Sequence, residues 1–439
     1  MRSERDMGTN KYLSSDVQVS PCWLNQAKDL PNRLFIMPAE KELLDLIMNS
    51  EGITISDAIS ITGHSRTKIA LSISSLLQKK YILEKDATEF TGGRRSRVYC
   101  INGDLGLVAG LDIGATSFDI ALADLSRKIL DVRSELDNVR DGPIKVLGRI
   151  CEVLEKMITD RGLDPLNLKG IGIGLPGPVE FSSGIVVSPP IMPGWDRFPV
   201  IETVQQWFPA ANVVIDNDVN VMALGELTQG IGKGIQNMIF VKLGTGIGAG
   251  IVCEGSVYRG TNGCAGDIGH INVDKNGPLC QCGNHGCLES LAGGPAIAGR
   301  ASLAARDGHS PILMKYFENT KGNLTPEDVS IAAREGDAVS VELIRETGLM
   351  IGEVLAGLVN FYNPELIVIG GGVSSIGNNL LASIRKAVLN RSLPLATRNL
   401  QIVFSELGSR AGILGALNLA MDYIFTVDTS NQVSVGMKG

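Results

Sequence analysis

The stretch Leu107–Leu125, LVAGLDIGATSFDIALADL, shows a pattern that recurs through most of the chain. Two apolar runs of a length typical of buried strands flank a short turn that contains Gly114. Similar runs recur downstream, end in glycine turns or polar clusters, and alternate with amphipathic, helix-like segments. They are LKGIGIGLPGPVE (168–180), NVVIDNDVNVMALGEL (212–227), NMIFVKLGTGIGAGIVCEG (237–255) and PELIVIGGGVS (364–374). This pattern predicts an α/β fold that binds ligands at the ends of its strands.

The composition fits this class. The chain has 439 residues, of which 44% are hydrophobic and 20% charged, and this length predicts two or three domains with a large core. The N-terminus is polar, and no apolar run is long enough to span a bilayer. Eight cysteines without regular pairing are typical of reduced thiols. We therefore expect a cytoplasmic protein without membrane contacts.

A basic segment precedes the α/β region. The segment from Ser56 to Cys100 contains eight Lys and Arg residues and four Asp and Glu residues, which gives it a net charge of +4. The whole chain carries −7, so the remainder carries −11. A basic module on an acidic protein is typical of a surface that contacts phosphate.

The same segment has the layout of a winged helix. Apolar residues from Leu43 to Met48 predict a first helix, and TISDAISITG (54–63) predicts a second, with Ser56 as its N-cap and Gly63 at its end. HSRTKIALSISSLLQKKYI (64–82) predicts a third helix, and the residues that follow it predict a hairpin wing around TGGRR (91–95). Each part alone also fits a small helical bundle with a surface hairpin. The combination with the basic charge favours DNA binding.

This interpretation places the third helix in the major groove and the wing against the minor groove or the backbone. The expected DNA contacts are Ser65, Arg66, Thr67, Lys68 and Ser72 on the helix and Arg94 and Arg95 on the wing.

Two glycine loops, DIGATS (112–117) and LGTGIGAG (243–250), each join two predicted strands. Their backbone amides can face a phosphate. Neither is a Walker loop, because lysine and Ser/Thr are absent from the required places. Together with GGGVS (370–374) they indicate a nucleotide cleft between two lobes. The alternative is that these glycines only let strands turn and pack.

A polar cluster of Asp216, Asn217, Asp218 and Asn220 follows another predicted strand. Such side chains suit hydrogen bonding to a polyol, and one carboxylate can act as a general base. An N-cap cluster for the next helix explains the same residues equally well.

The segment GDIGHINVDKNGPLCQCGNHGC (266–287) has the spacing of a metal site. Its candidate ligands follow the pattern H-x9-C-x-C-x4-C and are His270, Cys280, Cys282 and Cys287. One imidazole and three thiolates form a closed tetrahedral set, which favours structural zinc over catalytic zinc. The metal would order a loop with little apolar content of its own. His285 could compete as a ligand, and incidental buried cysteines are the alternative.

With these motifs the chain resembles the ROK family of sugar kinases and sugar-sensing repressors, over roughly residues 38–425. The most specific pieces are CQCGNHGCLE, AGDIGH, NDVN and LGTGIGAG, and the front end resembles the xylose-repressor-like branch. The resemblance implies an N-terminal winged helix-turn-helix followed by a two-lobed, actin-like ATPase domain with sugar in its cleft and zinc clamping one wall. We expect an arm at 1–34, a winged helix at 35–102, a kinase-like domain at 103–425 with its zinc loop at 270–287, and a polar tail at 426–439.

The resemblance also implies individual roles, among them a sugar-binding pair of Asn217 and Asp218, with Asp218 as the catalytic base in kinases. The remaining sugar contacts would be Gly194, Asp267, His270 and Glu289. The ATP contacts, if retained, would be Asp112, Gly114, Thr116, Gly244, Thr245, Gly246, Gly371 and Gly372. The zinc ligands would be the four residues named above.

The chain also departs from the kinase pattern. It has DIGATS where kinases have DIGGTK, so the methyl group of Ala115 would crowd a γ-phosphate, and Asp267 replaces a glutamate. Ile191 stands where an asparagine is common. We therefore expect a transcriptional regulator, most simply a repressor, that binds a sugar and operator DNA as a homodimer or homotetramer. The alternative is a sugar kinase that uses Mg²⁺ and ATP and carries a DNA-binding arm; a pure interaction scaffold is a third hypothesis.

Overall fold

A computed structural model describes residues 34–48, 50, 52–86 and 97–427. The predicted wing arginines Arg94 and Arg95 lie outside the described residues, as do all but one residue of the predicted arm and all but two of the predicted tail. Over the described part of the chain, no helix is both long and apolar enough to cross a membrane.

The N-terminal module consists of three helices and a hairpin, as predicted. Its elements are β1 (Leu34–Ile36), α1 (Pro38–Met48), α2 (Ile55–Thr62), α3 (Arg66–Gln78), β2 (Ile82–Asp86) and β3 (Arg97–Ile101). Strands β2 and β3 pair antiparallel. The prediction of Ser56 as the N-cap of α2 is wrong, because Thr54 caps the helix in a reciprocal capping box with Asp57. Gly63 ends α2 in the left-handed conformation, at φ 68°, as predicted.

Apolar stripes on α1 and α3 form the core of this module. Leu43, Leu44 and Ile47 of α1 are buried together with Ile69 and Ile73 of α3. This follows from the i, i+3, i+4 spacing of apolar residues in both helices. The solvent-facing side of α3 is left free for contacts with other molecules.

The first lobe is built on a five-stranded sheet in the order β10-β7-β4-β5-β6. Its strands and helices are β4 (Leu107–Ile113), β5 (Ser117–Asp124), β6 (Ile129–Leu136), α4 (Pro143–Thr159), β7 (Leu168–Leu175), β8 (Val179–Glu180), β9 (Ile185–Val186), α5 (Val200–Trp207), β10 (Asn212–Asn217) and α6 (Asp218–Gln229). Strand β5 runs antiparallel to both β4 and β6, and β7 and β10 run parallel to β4.

The second lobe repeats this connectivity in the order β13-β12-β11-β14-β15. Its elements are β11 (Met238–Leu243), β12 (Ile247–Cys253), β13 (Ser256–Tyr258), α7 (Leu288–Ala292), α8 (Gly294–Arg306), α9 (Pro311–Asn319), α10 (Pro326–Arg334), α11 (Ala338–Tyr362), β14 (Leu366–Gly370), α12 (Asn378–Arg391), α13 (Pro394–Thr397), β15 (Gln401–Phe404), α14 (Arg410–Asp422) and β16 (Phe425–Val427). Strand β11 pairs antiparallel with β12 and parallel with β14, as β4 does with β5 and β7. Each lobe therefore begins with a hairpin whose turn is one of the two glycine loops.

Helix α14 returns to the first lobe and packs closely on it through glycines. A Cβ atom at Gly415 would lie 1.7 Å from the carbonyl oxygen of Val221 in α6. A Cβ atom at Gly172 of β7 would lie 2.0 Å from the carbonyl oxygen of Ala416 in α14. Only glycine permits backbones to approach this closely.

The end of α14 leads directly to the N-terminal module. Strand β16 pairs in parallel with β1, with Leu34 opposite Phe425. The rings of Tyr81 and Phe425 lie 5.4 Å apart in a tilted arrangement. Residues of α14 and of the winged helix share one buried cluster. The N-terminal module is therefore docked on the C-terminal end of α14.

Candidate ligand cleft, metal centre and DNA-binding face

The two glycine loops form tight hairpin turns. The Gly114 amide donates to the Ser117 carbonyl at 2.8 Å, and the Gly244 amide donates to the Gly246 carbonyl at 3.0 Å. The candidate phosphate-binding residues Thr116 and Thr245 are exposed at these turns. The glycines thus shape the turns, as the alternative interpretation holds, and the turns present polar groups to solvent.

The third glycine motif lies next to the second loop. Gly371 has φ +85°, and a Cβ atom there would lie 2.4 Å from the Leu243 carbonyl oxygen. Gly372 has open space around the position of a Cβ atom. Gly371 is therefore required by backbone packing, whereas Gly372 faces free space.

An ion pair that the motifs did not predict joins the two lobes. Lys242 of β11 donates to Asp218, the first residue of α6 and the candidate base. The Asp218 residue is only 3% exposed. Burial opposes the charge of Lys242, but Asp218 and Asp112 outweigh it and raise the pKa of this lysine. Its only sequence signal is a lone lysine within the apolar run NMIFVKLG.

Asp112 completes this charged group. Burial raises the pKa of the Asp112 carboxyl group to about 7, although Lys242 opposes the rise. The carboxyl group lies against the first turn of α14, since a Cβ atom at Gly412 would lie 1.8 Å from its Oδ2. Asp112 therefore connects the Lys242–Asp218 ion pair to the helix on which the N-terminal module docks.

We predict that Asp112→Asn changes how stability depends on pH. The unfolded carboxyl group has a pKa of about 3.9, so the folded protein keeps this proton over a wider pH range. Protonation of Asp112 therefore stabilises the folded protein. This stabilisation is fully present below about pH 4 and is lost as the pH rises through about 7. The variant lacks this titration, so between pH 4 and pH 8 the wild type should lose roughly 4 kcal/mol of stability that Asp112→Asn keeps. Denaturation of both proteins at the two pH values checks this, and parallel pH profiles would contradict it.

The polar residues that precede Asp218 form hydrogen bonds within the protein. The Asn217 side chain caps α6 by accepting from the Val219 amide at 2.9 Å, and its Nδ2 donates to the Gly177 carbonyl at 3.0 Å. Asp216 accepts from Arg259 Nε at 2.8 Å. The N-cap alternative therefore describes Asn217, and Asp218 remains the carboxylate of this cluster that faces the cleft.

The other candidate sugar contacts lie on separate elements. Glu289 of α7 accepts from the Ile247 amide at 3.0 Å, next to the loop that Lys242 precedes. Asp267 Oδ1 lies 3.9 Å from His270 Nε2. Gly194 is exposed at φ +81° beside the buried residue Trp195. Glu289 is thus placed at the cleft wall, and Asp267 beside His270.

The four predicted metal ligands converge. The ligand atoms of His270, Cys280, Cys282 and Cys287 all lie within 4.8 Å of one another. A tetrahedral zinc with Zn–S bonds of about 2.3 Å would place sulfurs about 3.8 Å apart and a nitrogen about 3.5 Å from a sulfur. The Cys282 and Cys287 sulfurs are 3.7 Å apart, and His270 Nδ1 lies 3.5 Å from Cys280 Sγ. The geometry fits a tetrahedral metal.

The competing ligand His285 points elsewhere. Its Nδ1 lies 3.2 Å from the Gly277 carbonyl oxygen, and it is outside the cluster of ligand atoms.

A backbone hydrogen bond from Asn284 lowers the pKa of the Cys282 thiol to about 7, which favours the thiolate that binds metal. Cys287 precedes α7 as its N-cap residue, two residues before Glu289. A metal here would therefore fix the wall of the cleft that carries Glu289.

The candidate DNA face lies at the start of α3. Ser65 caps the helix by accepting from the Lys68 amide at 3.3 Å, and Arg66, Thr67 and Lys68 are exposed. The Lys68 ammonium lies 2.9 Å from His64 Nε2. This first turn presents the basic surface that the sequence predicts.

The prediction that Ser72 contacts DNA is wrong. It is only 7% exposed, and its hydroxyl donates to the Ala39 carbonyl at 3.4 Å. The residue lies between Ile69 and Ile73 on the apolar stripe, so it faces α1. The solvent face continues instead through Leu71, which is 68% exposed.

Comparison with known proteins identifies a family. The model of the ROK family matches residues 108–423. A glucokinase of Halalkalibacterium halodurans is 35% identical over 70% of this chain and 92% of its own length. A xylose repressor of Caldicellulosiruptor bescii is 30% identical over 86% of this chain and 94% of its own length.

The solved structures give a matching result. A ROK family transcriptional regulator, a homologue of the Escherichia coli MLC protein, is 26% identical and superimposes with a TM-score of 0.75. This match covers 88% of this chain and 96% of that one. The residues from Val108 onward make up only about three quarters of the chain. The matches to both regulators therefore extend into the N-terminal module.

Proposed function

The chain belongs to the ROK family, and we propose that it is a sugar-responsive, DNA-binding transcriptional regulator, most simply a repressor of genes for carbohydrate use. The observation that carries this proposal is the docking of a winged helix on α14, the helix whose first turn touches Asp112 in the cleft. A kinase needs no such connection. The xylose repressor and the solved transcriptional regulator, which match the N-terminal module as well, support the same conclusion.

The proposed mechanism uses α14 as a rigid connection. A sugar bound beside Asp218 and Glu289 would change the position or charge of Asp112 and so press on the first turn of α14. Because glycines seat α14 directly against α6 and β7, the helix can move only with its surroundings. A sugar shifts operator affinity only through its differential affinity for the two arrangements of the protein.

We further propose that structural zinc occupies the cluster of His270 and the three cysteines. It would hold the wall of the cleft and supply no chemistry to a reaction. A homodimer or homotetramer would place two winged helices on a palindromic operator, since a twofold protein matches a twofold site.

DNA binding is tested with Arg66→Ala. This exposed residue, in the first turn of α3, is expected to contact DNA, so its loss should weaken binding by roughly 1–3 kcal/mol, which is about 5- to 150-fold. Fluorescence anisotropy on a duplex selected by the protein from random DNA gives the affinity. Arg398→Ala, which removes an exposed arginine of the second lobe, is the matched control. Equal affinities of the two variants would count against the proposal.

The second candidate is a sugar kinase, because the glucokinase match covers the cleft and Asp218 is present. In this case Mg²⁺ and ATP would bind at the glycine loops, and Asp218 would accept a proton from a sugar hydroxyl. Release of ADP that depends on a sugar would favour this candidate.

A further inference from the structure

The Lys242 side chain lies on a part of the sheet that leaves room for it. Its direct neighbours on β12 and β14 are Gly248 and Gly370. Directly opposite residues share a face of the sheet, so neither of these two neighbours places a side chain beside Lys242, and the ring of Phe240 covers Gly370. A Cβ atom at Gly248 would meet Val219 of α6 at 3.0 Å, and a Cβ atom at Gly244 would meet Lys242 Cε at 3.7 Å. The lysine thus extends between the first turn of α6 and the second glycine loop.

The lysine ends among carboxylates of the first lobe. Its ammonium group bonds to Asp218 and interacts with the charge of Asp112. These two residues are neighbours, since a Cβ atom at Gly174 would lie 3.4 Å from Asp218 Cα and 3.5 Å from Asp112 Oδ1. The Lys242 ammonium group of the second lobe therefore interacts with two carboxyl groups of the first lobe.

Phosphoryl transfer needs these carboxylates for other tasks. Phosphotransferases commonly use carboxylates to hold Mg²⁺ against the phosphates, and a further carboxylate to accept the proton of the attacking hydroxyl. A carboxylate that already accepts from a fixed ammonium group is a weaker base, and a divalent cation is repelled by the ammonium charge. An ammonium group bonded to Asp218, next to Asp112, thus opposes both tasks while it leaves sugar hydroxyl groups able to bind.

We propose that Lys242 is a specificity-determining residue that takes the place of a divalent cation in the cleft, so that the protein binds an uncharged sugar and retains it without transferring phosphate. The proposal deepens the proposed function, on which it rests for the statement that the cleft binds sugar. It also explains how the candidate base Asp218 can be present in a protein that works as a sensor.

Lys242→Thr tests this role in the full-length chain. Without the ammonium group, the Asp218 carboxylate loses its fixed counter-charge and can hold a divalent cation together with Asp112. We expect the affinity for Mn²⁺, measured by electron paramagnetic resonance at pH 8, to rise at least tenfold. Lys233→Thr, at an exposed position before β11, is the matched control and should bind Mn²⁺ as the wild type does. Lys242→Arg keeps the cation and should also leave Mn²⁺ binding unchanged.

A second measurement, made on the wild type, and a second variant keep the test decisive if Lys242→Thr does not fold. Wild-type protein with Mg-ATP and glucose, mannose, xylose or N-acetylglucosamine should form no ADP beyond the level without sugar. If Lys242→Thr does not fold, Lys242→Gln keeps most of the side chain's length without its charge and takes its place. The proposal is overturned if removal of the charge leaves Mn²⁺ affinity at the level of Lys233→Thr, or if the wild type forms ADP in a sugar-dependent manner.

These outcomes are separate from those of the regulator proposal. A protein that binds no DNA but gains Mn²⁺ affinity on loss of Lys242 would refute the regulator proposal and keep the role of Lys242. A protein that binds DNA while Lys242→Thr behaves as the control would do the reverse.

Discussion

Replacing Cys282 with serine is expected to remove the metal from the protein and to unfold the loop at 270–287. A serine hydroxyl group is a poor replacement for a thiolate at a tetrahedral site, and the remaining three ligands leave that site open. Because the loop buries few apolar side chains, its order depends on the metal. We expect about one zinc per chain in the wild type and about a tenth of this or less in the variant. The melting temperature should fall on the order of 10 °C.

The control for this experiment is Cys264→Ser. Cys264 is an exposed thiol outside the cluster of ligand atoms, so the same substitution there should keep the zinc and the melting temperature. Elemental analysis of protein purified without chelators gives the metal content. A Cys282→Ser protein with as much zinc as the control would refute the site. So would a wild-type protein that contains no metal.

Replacing Gly415 with alanine should destabilise the protein severely. The added methyl group would lie 1.7 Å from the Val221 carbonyl oxygen, so α14 and α6 would have to separate. Overpacking against backbone atoms that cannot rotate away costs about 3 kcal/mol or more. Because the winged helix packs on α14, operator binding should weaken together with stability.

Gly357→Ala is the matched control for this second prediction. Gly357 is an exposed glycine within α11, and nothing lies within 4 Å of its Cβ position. Alanine there should be neutral or stabilise the helix by up to about 1 kcal/mol. Urea denaturation of both variants compares the two free energies of unfolding. Similar values would mean that α14 does not pack on α6 as closely as the structure has it.

Patterns that depend on nearby residues allowed much of the fold to be predicted. Strands that end in glycine turns, the apolar stripe of α1 and the left-handed turn at Gly63 all depend on a few consecutive residues. The metal cluster could be predicted for the same reason, because three of its ligands lie within eight residues of one another. His270 joins them through a short turn that directly precedes the loop.

Features that depend on partners distant in the chain could not be predicted. Lys242 pairs with a residue 24 positions away on another element, and the lone lysine in its apolar run does not indicate which residue that is. The prediction for Ser72 is wrong because a hydroxyl group in a basic helix can bond to DNA as well as to a neighbouring helix. The N-cap role of Asn217 was an open alternative that only the direction of its side chain could decide. The glycines at 412 and 415 in the apolar run RAGILGALNLAM signal a close helix contact, but not its partner.

The central claim is that one chain joins a sugar cleft to an operator-binding surface. The most direct test is the affinity of the wild type for its selected duplex, measured at fixed salt with and without each sugar of a panel. We expect one sugar to change this affinity at least tenfold, with no change in a variant that lacks Glu289. If every sugar that stabilises the protein leaves DNA affinity unchanged, the cleft and the winged helix are not coupled and the account is contradicted.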